Sequence, residues 1–207
     1  MKRRIGVFLS GCGALDGSDV HEAVFALLAI QRAGHEAVAL ALDRPLMHCV
    51  NHASGQEEEG QTRSQFAEAA RLSRGKVYTP AELSPKLLDG LVLVGGQGAL
   101  KNWLKDFGAG PVLCDPELEA FVKECHEAGG VIGAISLAEF AVSAVLGPWP
   151  EGKGCLDLGA AGVLVDAGGR KVLTPGHTLA SNLAELYQGI EALVAEMLTL
   201  ILGSNEP

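Results

Sequence analysis

Gly130-Gly-Val-Ile-Gly-Ala-Ile-Ser136 puts a serine straight after an apolar run of strand length, and residues 137–146 then have helical spacing. A strand, an abrupt turn and a helix lift a side chain above the end of a parallel sheet, with the helix amides beneath it. A cysteine in that position gains thiolate character. A serine hydroxyl does not ionise this way and needs a base. Glu22, in the first turn of a helix that follows the first strand, points back toward that strand's end. Burial there would raise its pKa, whereas the helix dipole would simply hold it charged. His177, in the turn Pro175-Gly-His177, is either the base of a Ser136–His177 pair, with Glu22 as orienter or acid, or a turn histidine bonded to backbone. Cys12, in Ser10-Gly-Cys-Gly13, is either a second nucleophile or a small residue packed in a tight turn.

The elements that must position these groups follow a βαβ rhythm. Residues 4–9 read as a strand opening into the Gly11-Cys12-Gly13 turn. Ser18 or Asp19 caps a helix running to about Ala33, and residues 35–42 form the next strand, which implies a parallel sheet. Residues 43–60 are polar and turn-rich, with room for a short strand, and 57–59 are three solvated glutamates. Residues 62–74 are an amphipathic helix, and 76–79 suggest a short edge strand. Residues 88–94 lead as a strand into Gly95-Gly96, with a helix start at 99–104. Residues 116–128 are a helix with proline at its first position and a glycine pair at its end. After the elbow, 162–165 and 171–174 are short strands, and the last helix spans about 179–202 on one apolar stripe. Three strands thus end in special turns, at Gly11, at Gly95 and at Ser136. These should converge at the carboxyl edge of the sheet, where ligands bind in such folds.

The bulk properties narrow the function classes. The 207 residues fit one α/β domain covering 1–207, and a net charge of −9 argues against nucleic acid or an anionic membrane as partner. No apolar run approaches a membrane span and no signal peptide precedes the first strand. Five cysteines without metal spacing suggest reduced thiols and a cytoplasmic setting. Cys49, Cys114, Cys125 and Cys155 read as packing residues, His21 as a cap or interface residue, and no spacing indicates a metal.

Several stretches resemble the ThiJ/PfpI superfamily, related to class I glutamine amidotransferases, and within it the ElbB-type glyoxalase-like branch. They are Leu9-Ser-Gly-Cys-Gly13, Asp16-Gly-Ser18, His21-Glu-Ala23, Met47-His48 with His52 and Gly55, Glu68 with Ala70-Arg71 and Arg74-Gly75, and Gly95-Gly-Gln-Gly-Ala99 with Lys101-Asn102. The likeness is strong over 5–108, moderate over 117–147, and resumes over 171–202. It implies a flavodoxin-like three-layer sandwich with a mainly parallel sheet, a homodimer, and cofactor-free chemistry on a small carbonyl compound through a hemithioacetal. It also implies an elbow cysteine beside a glutamate, matched here by Glu22, and oxyanion-binding amides matched by Gly96 and Leu137. Gly11 and Gly95 would complete the substrate-binding backbone. The sequence departs from the pattern at Ser136, where relatives carry cysteine, at Val94, where proline is expected, at Gly176-His177, and in an abbreviated segment 148–170.

Three functions compete on this reading. The first is a glyoxalase-type lyase or hydrolase on a small carbonyl compound, altered or reduced in activity by the serine. The second is a non-catalytic binding or regulatory protein on the same fold. A glutaminase is disfavoured, because it needs the cysteine and a downstream His-x-Glu, and His177 is followed by Leu179.

Overall fold

A computed structural model describes residues 1–105 and 112–203. The resembling stretch therefore runs past the described residues at 106–108. In chain order the elements are β1 (Arg4–Leu9), α1 (Val20–Arg32), β2 (Glu36–Ala41), β3 (Val50–Asn51), β4 (Gln56–Glu57), α2 (Gln65–Leu72), β5 (Gly90–Leu93), α3 (Gln97–Lys101), β6 (Leu104–Lys105), β7 (Leu113–Cys114), α4 (Pro116–Glu127), β8 (Val131–Ile135), α5 (Glu139–Leu146), β9 (Leu164–Asp166), β10 (Lys171–Thr174) and α6 (Leu183–Gly203).

The central sheet has the order β2-β1-β5-β8-β10-β9. It is parallel except for β9, which runs antiparallel to β10. The connection direction reverses on either side of β1, so the expected binding edge lies where β1 and β5 end. Side-chain alternation divides the core. Ile5, Val7, Leu9, Val92, Val131 and Ile135 pack with α1 and α6 residues on one face. Phe8, Leu91, Leu93, Ile132 and Ala134 pack with α4 and α5 residues on the other. This is a flavodoxin-like three-layer arrangement, as the βαβ rhythm implies.

Boundaries follow capping chemistry. Asp19 caps α1 by accepting from the amides of His21 and Glu22, and Asp115 caps α4 in the same way. The last helix begins four residues later than its apolar stripe suggests. Asn182 accepts from the amides of Ala184 and Glu185, so Leu179 lies in the preceding turn. Residues 76–79 make an isolated bridge, Leu40 to Tyr78, and no strand. The polar stretch 43–60 folds into the β3–β4 hairpin. At 21 residues and hydropathy 1.4, α6 is long and apolar enough to cross a membrane, contrary to the sequence reading. Its apolar stripe is spent inside the fold instead: Leu186, Ile190, Leu193 and Met197 are fully buried in the core.

Candidate active site

All of β8 is buried. It ends at Ser136, which adopts φ 55, one of four described non-glycine residues with positive φ. A non-glycine residue held left-handed costs about 1–3 kcal/mol and persists only where the surroundings impose it. Here a 3₁₀ turn, Ser136–Ala138, follows at once and leads into α5. The elbow is braced from below. Cys155 directs its thiol toward the Ser136 carbonyl at 3.5 Å and the Thr174 carbonyl at 3.7 Å, while its amide donates to Glu139. The abbreviated segment 148–170 thus still carries a support for the elbow.

Two of the resembling motifs interlock beside it. The β1–α1 loop lies across the β5–α3 turn. The Gln97 amide donates to the Ala14 carbonyl at 2.7 Å, Gly98 to Gly17 at 3.0 Å, and Asp19 to Gly95 at 3.0 Å. Lys101 Nζ donates to the Leu15 carbonyl, and Asn102 Nδ2 to the carbonyls of Ser10 and Asp16. A Cβ on Gly98 would sit in Gly17, so the two glycines permit this approach. The hairpin excursion closes over the same loop: the Val50 amide donates to Asp16, and the Leu15 amide to His52 Nε2.

A cavity of about 180 Å³ opens above these turns, lined by Ala14, Asp19, Glu22, Gly96, Ser136, Leu137, His177 and Thr178. Five of the expected site residues therefore meet: Ser136, Glu22, His177, Gly96 and Leu137. Gly95 supports them from behind, since a Cβ there would lie 2.7 Å from Glu22 Oε2 and 2.8 Å from Ser136 Cβ. The Gly96 amide makes no hydrogen bond among the described residues. It is thus a free donor on the cavity wall, as an oxyanion site requires. Gly11 and Cys12 do not line the cavity. A Cβ on Gly11 would instead meet Leu46. The half-buried Cys12 thiol is pushed up by burial and then by the charge of Glu68, the reverse of what a thiolate nucleophile needs.

Glu22 is fully buried. Oε1 accepts from the His177 amide at 2.9 Å. Oε2 faces the Gly95 amide and the Ser136 hydroxyl without a hydrogen bond of normal geometry to either. Burial pushes the carboxyl up to about 8, against the His177 amide, which favours the charged form. Gly176, at φ 54, makes the fit possible, because a Cβ there would strike Glu22 Oε1.

The Ser136–His177 pair is not made. The Ser136 hydroxyl bonds to Thr178 Oγ1 at 2.9 Å. The 3₁₀ turn Gly176–Thr178 hands that contact to Thr178 and gives Glu22 the His177 backbone. The His177 ring lies 3.5 Å from Asp19 Oδ1 and 5.6 Å from the His21 ring. Asp19, His21 and His177 bring one donor atom each within 4.8 Å of one another. The sequence reading did not group them; its one available signal was a histidine two residues after a helix-capping aspartate.

Comparison with known proteins agrees with this fold. No family model matches the chain. The human "Glutamine amidotransferase-like class 1 domain-containing protein 3, mitochondrial" is 33% identical over 95% of this chain and 83% of its own length. The chain belongs to the class I glutamine amidotransferase-like family. An Ehrlichia chaffeensis "isoprenoid biosynthesis protein with amidotransferase-like domain" superposes with TM-score 0.85 at 25% identity, covering 95% of this chain and 99% of that one. A Brachyspira murdochii ThiJ/PfpI domain protein shares the fold over all of both chains at TM-score 0.55 and 12% identity. In this class I glutamine amidotransferase-like chain the elbow, the Glu22 carboxyl and the Gly96 amide are assembled around a hydroxyl.

Proposed function

We propose that the cavity above Ser136 takes a small reactive carbonyl compound, and that the protein is an ElbB-like glyoxalase-type enzyme whose turnover is reduced by the serine. The observation that carries this reading is the left-handed Ser136, whose hydroxyl shares one small cavity with a fully buried carboxyl and a free backbone amide. Addition of the hydroxyl to an aldehyde forms an Oγ–C bond and moves one proton, overall, to the carbonyl oxygen. The Gly96 amide faces that oxygen, and Glu22, protonated at neutral pH, serves as acid. A proton then passes from the former aldehyde carbon to its neighbour, which oxidises the first carbon, reduces the second and leaves a 2-hydroxyacyl ester on Oγ; water cleaves that Oγ–C bond, releasing the 2-hydroxyacid and restoring the hydroxyl. Slow turnover follows from the hydroxyl itself, which meets Thr178 and no base. The likeness to the Ehrlichia isoprenoid biosynthesis protein supports the ElbB-type branch.

Incubation with methylglyoxal tests this. The protein should form hydroxyacid slowly and Ser136→Ala should form none; equal rates would remove Ser136 from the reaction. The second reading, a binding or regulatory protein, is favoured by the Ser136–Thr178 bond and by a residue only 4% exposed. It requires that ligand affinity survive Ser136→Ala. A homodimer fits the exposed apolar residues Val20, Val24 and Leu28, one turn apart on α1, and sedimentation at micromolar protein checks it. A cytoplasmic location gains no support from the human relative, which is named mitochondrial.

A further inference from the structure

We infer that Asp19, His21 and His177 bind a divalent ion of the zinc class at the rim of the Ser136 cavity. This stands apart from the glyoxalase reading, since it concerns binding alone. Two imidazoles and one carboxylate are the donor set of borderline ions such as Zn²⁺ and Co²⁺. Three protein ligands leave a position open, the pattern of ions that act on a bound molecule rather than hold a fold together.

The geometry is close to what such an ion needs. The donor atoms lie within 4.8 Å of one another, and His177 Nε2 is already 3.5 Å from Asp19 Oδ1. With metal–ligand distances of 2.0–2.1 Å, tetrahedral ligands stand about 3.3 Å apart. The remaining contraction is within reach of side-chain rotation, because both histidines are exposed.

The cluster is also oriented from behind. The amides of His21 and Glu22 fix the Asp19 carboxylate through Oδ1, leaving Oδ2 without a hydrogen bond among the described residues. The His177 backbone is tied to Glu22, and the His21 ring stacks on Phe25 at 6.3 Å. Such outer contacts are what orient metal ligands. The His21 ring has no hydrogen-bond partner among the described residues, and the His177 ring lies near both the Asp19 carboxylate and the His21 ring. A shared cation accounts for two imidazoles brought within 5.6 Å of each other with their rings tilted at 54°. The positive end of α1 opposes a cation here, and the Asp19 carboxylate lies between the two. Asp19 and His177 also line the cavity, so the open position lies beside the space reserved for the carbonyl ligand.

Co²⁺ titration of tag-free, EDTA-treated protein tests the site. One equivalent should produce a visible d–d band that Zn²⁺ abolishes. His21→Ala and His177→Ala should each weaken Co²⁺ binding at least about 10-fold, and the double variant should lose the band. Asp19→Asn, which keeps the helix cap, should weaken binding as well, while His48→Ala and Cys12→Ser should leave it unchanged. Circular dichroism confirms that each variant is folded. A protein with no saturable band at millimolar Co²⁺, or a band that persists in the folded double variant, would overturn the inference.

Discussion

Replacing Glu22 with glutamine isolates the buried carboxyl on which the proposed chemistry depends. In the fold that carboxyl is raised from 4.5 to about 8, burial being the largest cause. A raised carboxyl contributes stability that is fully present below its unfolded value and is lost as pH rises through the folded one. Each pH unit inside that window costs about 1.4 kcal/mol. The whole window from 4.5 to about 8 therefore corresponds to about 5 kcal/mol. Glutamine keeps the shape and the acceptor for the His177 amide, and it does not ionise. Urea unfolding of EDTA-treated wild type and Glu22→Gln between about pH 5 and pH 8 reads the difference. The wild type should lose ground steadily as pH rises, by about 3 kcal/mol between pH 5 and pH 7. Stability curves that run parallel would mean that Glu22 is ionised at neutral pH, and the acid role would fall.

Gly176→Ala should cost at least about 2 kcal/mol in urea unfolding and empty the site of its carboxyl geometry, since it adds a strained left-handed alanine whose Cβ meets Glu22. Asn102→Ala removes two bonds to the carbonyls of Ser10 and Asp16 and should cost about 2 kcal/mol; an unchanged unfolding midpoint would show that the β1–α1 loop is held without it. Folded protein at neutral pH should react with Ellman's reagent first and slowly at Cys12, because burial pushes Cys114 and Cys125 up to about 12 and raises Cys155 further. Fast reaction of several thiols would contradict the packing described.

The strands that carry the site were legible because each is a short, continuous apolar run ended by glycine or serine. Residues 131–135 and 171–174 are strands at the bounds the sequence suggests. The elbow was legible for the same reason, and so was Glu22, whose first-turn position returns it to the sheet edge. Hydrogen bonds set between distant residues were not legible. Thr178, not His177, meets Ser136, because a single-residue choice in a 3₁₀ turn decides which side chain faces the cavity. Periodicity cannot see such a choice. Cys12 sits in a motif that resembles the family's, yet the groups beside it, Leu46 against Gly11 and the charge of Glu68, come from the 43–72 region. The start of α6 was missed because Leu179 extends the apolar stripe, while the cap at Asn182 sets the true boundary.

The central claim is that the fold retains a nucleophile site lacking only its thiol. The rate at which Ser136→Cys converts methylglyoxal, with and without Glu22→Gln, measures this most directly. Ser136→Cys should exceed the wild type by at least about 100-fold in kcat/KM, and adding Glu22→Gln should take most of that gain away. A folded Ser136→Cys protein no faster than the wild type would contradict the account, as would a gain that does not depend on Glu22.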